Sequence, residues 1–371
     1  MALDTSAAPA PARVGGALPG ALATVYRLFD VGYAVDLDRA ATLLRSSSPE
    51  RVEPTRTGAQ AIRIPNPPVA VVLGTESLAV AGRDHRAEVS ARIFDFGAVS
   101  MRVRIDAACD AWSEFKSFGA RVHTLDLTPC IATHLERLLA RIAPAIESPA
   151  VTPITEDYIV FRMGSCDPRA ATDDEIAGLL LNETRPLAPE ARRELLPHRF
   201  SYYGDDLVIL AWSAALVVEP NPEDADVEYV LEFANAQLLQ LRIYDAQLGA
   251  ELPRIRERVE RSRGPVAMWL RGYTPVLGRL HSLVADANEL MERVENALRV
   301  TDDIYLARVY GAALDLFRWR PWRNDIDRKI AILRQTYEML NDEVQSTRAE
   351  LLEIMIVLLI VTEIVLSFVI H

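Results

Sequence analysis

Lysine is almost absent from this chain of 371 residues: of its 40 basic residues only Lys116 and Lys329 are lysines. With its abundance of Ala, Arg and Pro, the imbalance reflects coding composition and excludes no function. Cysteine is scarce too. Cys109, Cys130 and Cys166 are widely spaced and form no CxxC pair, which excludes a disulfide framework and a zinc ribbon and places the chain in a reducing compartment. Net positive charge is missing as well. A formal charge of −12 argues against a general coat for nucleic acid or anionic lipid, and DNA is not an expected partner. There is no GxxxxGK[ST], no GxSxG and no GxGxxG between a strand and a helix, so phosphate-loop, nucleophile-elbow and dinucleotide chemistries are not signalled. The N-terminus, MALDTSAAPAPARVGGALPG, lacks a basic start and apolar core, and its composition favours disorder over a secretory signal.

What is present reads as α+β. Residues 1–20 are expected to be disordered, and residues 21–146 to form a mixed head. In the head, TVYRLFDVGYAVDL, AIRI, VAVVL and AEVSARIFDFGAVSMRVRI are strand-like. Asp95-Phe96-Gly97 is read as a hairpin turn or bulge, and DLDRAATLLR, AWSEFKSF and CIATHLERLLARIA as helices. Residues 147–157, punctuated by proline, are a linker. A second α+β segment covers 158–220, with strands YIVFRM, RFSYY and DLVILAW and a helix capped by Thr172.

After Pro220-Asn221-Pro222 the apolar period changes to one of three and four, so residues 221–350 are expected to be a helical, coiled-coil-like stalk. One seam runs Leu231, Ala234, Leu238, Leu241, Asp245, Leu248, Leu252, Ile255 and Val259, broken in polarity only at Asp245. Pro253 is expected to kink that helix. Val284 to Leu298 repeats the rhythm. A third, unbroken seam runs Ile326, Ile330, Leu333, Tyr337, Leu340, Val344, Thr347, Leu351, Ile354 and Leu358, and a seam of this length predicts a homo-oligomer or a partner helix.

The seam runs into LLEIMIVLLIVTEIVLSFVIH, residues 351–371, whose large apolar side chains cover every helix face. Seventeen residues from Ile354 to Ile370 would span roughly 25 Å, so the segment is read as a C-terminal transmembrane helix. The protein is then tail-anchored in an inner membrane, with its head in the cytoplasm and residues 351–371 in the bilayer. Glu363 inside the span would face another helix, which again favours self-association. Glu353, Glu363, Leu340 and Tyr337 are the candidate membrane and oligomerisation residues.

These residues resemble the family called required for meiotic nuclear division, or Sad1-interacting factor. Leu352-Glu353 and Glu363 match its C-terminal signature, Leu340-Asn341 its upstream pair, and Ala236-Gln237, Leu241 and Tyr244-Asp245 an internal motif. Ile354 and Phe233-Ala234-Asn235 depart from the pattern. The resemblance covers about residues 155–371. It implies an integral membrane protein that forms homo-oligomers, with mitochondrial relatives supporting translation, and it implies no catalytic residues.

Candidate chemistry is thin. His123, Cys130 and His134 give H-x6-C-x3-H, with no further metal ligand nearby, so neither metal nor cofactor is assigned. Asp205-Asp206 and Asp302-Asp303 read as turn and helix-start residues. Two stretches rich in arginine and aromatics remain, Arg254–Tyr273 and Phe317–Asp325. In the second, Arg318, Trp319, Arg320, Trp322 and Arg323 are candidates for RNA or headgroup contact; packed, solvated helix faces are the plainer explanation. Three functions follow: a non-enzymatic oligomeric scaffold or tether, an RNA- or ribosome-associated factor, and a hydrolase or nuclease using Asp205-Asp206.

Overall fold

A computed structural model describes residues 18, 20–52, 66–80, 83–109, 111–164, 171–261, 284–285, 288–289, 292 and 304–370. For residues 252, 255–261, 336–337, 339–351 and 367–370 it describes the backbone alone. The strand expected at AIRI, Cys166, Asp302-Asp303, most of residues 1–20, most of the helix from Val284 to Leu298, and residues 262–273 of the first arginine-rich stretch lie outside the described residues.

In chain order the elements are β1 (Leu22–Asp30), β2 (Ala34–Val35), α1 (Leu37–Leu43), β3 (Glu50–Arg51), β4 (Val69–Val80), β5 (Arg83–Ile93) and β6 (Ala98–Asp106). There follow α2 (Trp112–Val122), α3 (Thr128–Ile142), β7 (Ile146–Glu147), β8 (Thr155–Met163), α4 (Asp173–Leu180) and α5 (Pro189–Leu195). The rest are β9 (His198–Phe200), β10 (Leu207–Leu210), β11 (Ala214–Val218), α6 (Asp226–Arg261), α7 (Ile304–Leu316) and α8 (Trp319–Ile370).

Nine strands form one sheet in the order β3-β4-β5-β6-β1-β8-β11-β10-β9. Neighbours are antiparallel except β8 and β11, whose parallel pairing is reached through α4, α5, β9 and β10. Residues 158–220 therefore add strands to the sheet that the first residues begin, with β8 hydrogen-bonded along β1 from Leu22↔Arg162 to Phe29↔Thr155.

Local chemistry fixes several joints. At the β5–β6 hairpin Gly97 has φ +83°, and a Cβ there would fall 1.9 Å from the Gly32 carbonyl oxygen, so only glycine fits. Thr172 caps α4 through a reciprocal box: its hydroxyl accepts from the Glu175 N–H at 3.3 Å, and its own N–H donates to the Glu175 carboxylate at 2.8 Å.

Because side chains alternate along a strand, the register assigns each residue to one of two faces. The first face is mainly apolar. Val25, Val89, Ala91, Met101, Val103, Phe161 and Leu216 pack with Phe115, Phe118, Ile131, Leu138, Ile176 and Leu179 of α2, α3 and α4. Gly119 lets α2 approach α4, since a Cβ there would meet Leu179 Cδ1 at 2.3 Å. The second face carries Tyr26, Arg92, Ser100, Arg102, Tyr158 and Arg162. α6 and α7 cover it, with Phe94 against Phe233 at 6.2 Å and Phe317 edge-on to Tyr158 at 5.6 Å.

The chain divides into two compact units, Met1–Leu239 with Asn296–Phe317 and Gln240–Glu295 with Arg318–His371. The second unit contains the later part of α6 and all of α8. There Leu241, Ile243, Leu248, Ile326, Ile330 and Leu333 are buried. Asp245, the polar break in the predicted seam, receives Lys329 Nζ at 2.6 Å on its carboxylate and 2.9 Å on its carbonyl. α6 continues through Pro253.

The expected C-terminal transmembrane helix is overturned. Among the described residues no helix is long and apolar enough to cross a membrane. Glu353 and Glu363 interrupt the apolar run near the end of α8. The membrane and tail-anchored readings fall with the expected span.

A fragment of residues 22–220 keeps every strand but loses the helices over the second face. We expect it to show no cooperative thermal transition by near-ultraviolet circular dichroism, whereas the full chain shows one. A sharp transition in the fragment would mean that the arginine-bearing face tolerates water.

Candidate functional site

The run VEYVLEFANAQ opens α6 with Val227, Val230, Leu231, Phe233, Ala234 and Ala236 all buried. A helix apolar on so many sides belongs in an interior. Two glutamates sit in that run four residues apart, Glu228 and Glu232, and so share one helix face. Both are buried. They meet the arginines of the sheet's second face.

Glu232 accepts from Arg92 Nη1 at 2.6 Å, with its side chain fully buried and that of Arg92 5% exposed. The same oxygen lies 3.8 Å from Arg102 Nε, whose side chain is 19% exposed and forms the solvent edge of the cluster. Glu228 accepts from Arg162 Nη1 at 3.1 Å on one oxygen and from the Tyr26 hydroxyl at 3.0 Å on the other. Arg162 also donates to the Asn221 carbonyl at 2.8 Å, at the entry to α6. The guanidinium of Arg92 lies over the Tyr229 ring at 5.0 Å and that of Arg102 over Tyr26 at 5.6 Å.

Burial and the neighbouring Glu228 push the Tyr26 hydroxyl well above its usual range, so it stays protonated and acts as a donor. Burial lowers Arg92, with Glu232 opposing. For Arg102 burial also pulls downward, but Glu232, Tyr26 and Glu228 together raise it. Further along the same face the Tyr310 hydroxyl of α7 donates to the Gln237 side-chain oxygen. The arrangement offers fixed cationic donors to an oxyanion and contains no cysteine, serine–histidine pair or other activated nucleophile.

The residues named from sequence lie elsewhere. His123 is half-buried, its Nε2 2.9 Å from the Leu179 carbonyl oxygen, and burial lowers its pKa from the ordinary 6.5. His134 Nε2 pairs with Glu76 at 2.9 Å, and burial together with Glu76 pushes the Cys130 thiol up, the reverse of activation. Among the described residues no group of three or more His, Cys, Asp or Glu is placed to hold a metal. Asp206 is buried and serves its own turn: it accepts from the Tyr203 N–H at 2.8 Å, the Tyr202 N–H at 2.9 Å and the Ser201 hydroxyl at 3.0 Å.

In the second arginine-rich stretch Trp319 is buried, Trp322 and Arg323 are half-buried, and Arg318 and Arg320 are exposed. Arg323 lies 3.8 Å from Asp327. Glu353 and Glu363 are exposed, and the side chains of Tyr337 and Leu340 lie outside the described residues. The buried Arg–Glu layer was missed from sequence. Its signal was arginine at alternate positions in SMRVRI beside ARIF, facing a later helix with two glutamates four apart.

Nine strands, mostly antiparallel, with helices on both faces and a buried Arg–Glu layer on one of them, define a mixed α/β protein with a polar internal layer. The chain belongs to the family described as Uncharacterized protein MJ0711, N-terminal domain, whose model matches residues 21–225. It is 24% identical over 189 residues to "Uncharacterized protein MJ0711" of Methanocaldococcus jannaschii, a match covering 51% of this chain and 57% of that protein. The chain thus spans little more than half of that relative's length. Tyr26, Arg92, Arg102 and Arg162 lie inside the family match; Glu228 and Glu232 lie just beyond it.

Removing one partner of a buried pair leaves the other charge uncompensated, so Glu232→Ala is expected to destabilise the protein by about 3–5 kcal/mol in urea unfolding. Glu232→Leu combined with Arg92→Met is expected to cost less than the sum of the two single changes; additivity would mean the pair is not coupled.

His123 gives a pH signature. Its folded pKa lies below the unfolded value, so the unfolded chain binds more protons as pH falls through about 6.5 and stability declines there. His123→Gln should lose less melting temperature than wild type between pH 7 and pH 5.

Proposed function

We propose that the protein is a non-enzymatic scaffold whose copies assemble through the far end of α8. The observation that carries the reading is the exposed apolar surface there. Leu352, Ile354, Met355, Ile356, Val357, Leu358, Leu359, Ile360, Val361, Ile364, Val365 and Leu366 are each at least half exposed. Burying a large aliphatic side chain is worth about 1.5–3 kcal/mol when complete, so even partial cover of these groups favours association strongly. Monomeric proteins rarely leave so large an apolar patch in water.

The pattern also bears on stoichiometry. A two-stranded seam buries two positions in seven, whereas residues 354–361 are apolar at every position. More than two helices are needed to cover them. Glu363, toward the C-terminal end of this surface, would then set register, as a single polar residue does in a coiled-coil core.

The RNA or ribosome reading retains the arginines of the Phe317–Asp325 stretch, but Trp319 is buried and not placed to stack on a base. The hydrolase reading rested on Asp205-Asp206, and Asp206 is occupied by its turn.

Light scattering coupled to gel filtration tests assembly. The full chain is expected to elute as a species of three or more copies. Ile360→Asp is expected to shift it to monomer while leaving the circular dichroism of the sheet unchanged. A full chain that is monomeric at micromolar concentration would reject the scaffold reading.

A further inference from the structure

In the buried layer, one set of polar atoms is left without hydrogen bonds. Arg92 Nε, Arg102 Nε, Ser100 Oγ and the second oxygen of Glu232 all lack a partner. They belong to one neighbourhood. Ser100 stands opposite Arg92 in the β5–β6 register, Arg102 is two residues further along β6, and both arginines reach the same Glu232 oxygen. A buried polar atom without its hydrogen bond is costly, so several together are unusual in a region that serves packing alone.

Three of the four are donors, and two of those are carried by guanidinium groups. Guanidinium forks and hydroxyls are the groups that recognise tetrahedral oxyanions, through several N–H and O–H bonds at once. A single carboxylate oxygen engages only part of this set. Charge points the same way: the cluster holds three guanidiniums, Arg92, Arg102 and Arg162, and the carboxylates acting on it are Glu228 and Glu232. Arg102 is the most exposed of the three, its side chain 19% exposed.

We propose that Arg92, Arg102 and Ser100 form a binding site for a phosphate-class oxyanion, occupied here by the Glu232 carboxylate of α6, which the anion displaces. Glu232 is then an internal stand-in for the ligand. Exchange of the two loosens the hold of α6 on the sheet, so binding is coupled to the position of that helix.

Titration calorimetry of the full chain with millimolar inorganic phosphate, at ionic strength held constant with chloride, tests the site. Glu232→Gln is expected to bind phosphate about tenfold or more tighter than wild type, since the competing charge is gone. Arg102→Met in that background is expected to remove the gain. A Glu232→Gln protein that binds no more tightly than wild type, or a gain that survives Arg102→Met, overturns the proposal. Phenyl phosphate, run in parallel, separates the sources: binding of both anions supports a site for phosphate esters, and binding of inorganic phosphate alone supports a site for the free ion.

If Glu232→Gln does not fold, wild type decides through amide hydrogen exchange. Saturating phosphate is expected to speed exchange in residues 226–239 by about threefold or more relative to chloride, because displacement of Glu232 frees local opening. Unchanged exchange there overturns the proposal.

Discussion

The Glu232 carboxylate, buried against Arg92 and Arg102, ties the first turns of α6 to the centre of the sheet. Charges taken out of water are tolerated only when each finds its opposite, so the strand face that bears these arginines can be interior only while α6 lies upon it. Glu228 repeats the arrangement four residues earlier, joining Arg162 of β8 and Tyr26 of β1. These contacts set the rotation and the register of α6, since a shift of one residue would turn both carboxylates away from their partners. Apolar packing by Leu231, Phe233 and Ala234 supplies attraction without that directional demand.

The two faces of the sheet are therefore held by different physics. On one, aliphatic and aromatic side chains from α1, α2, α3 and α4 fill space, and many alternative sequences of the same volume would serve. On the other, a few named pairs must meet, and loss of any one leaves a buried charge. The family match covers the strands that carry the arginines and ends at residue 225, one residue before α6 begins. The cationic face belongs to the matched domain, while its cover comes from the segment that follows.

In the second unit the same logic appears on a smaller scale. Asp245 interrupts an otherwise apolar seam, and one of the two lysines of the chain, Lys329, sits beside it. A half-buried pair of this kind fixes which turn of α6 faces which turn of α8.

Local order was legible in the sequence because its causes are local. Alternation in TVYRLFD and AEVSARIF marks strands, Gly97 marks the hairpin, and Thr172 with Glu175 marks a helix start; each depends on residues within a few positions of one another. The apolar run from Leu352 to Leu366 was equally visible, yet its meaning was not: breadth of apolar surface suits a membrane or an assembly alike, and among the described residues no helix is long and apolar enough to cross a bilayer. The polar layer could not be read, because Arg92 and Glu232 are 140 residues apart and nothing near either one names the other as its partner. By itself the sequence determined where most of the longer strands and helices lie, though not their ends: β8 begins at Thr155, inside the expected linker. Only the tertiary structure decided that arginines on alternate strand positions point inward, because burial of a charge depends on which distant segment arrives to neutralise it.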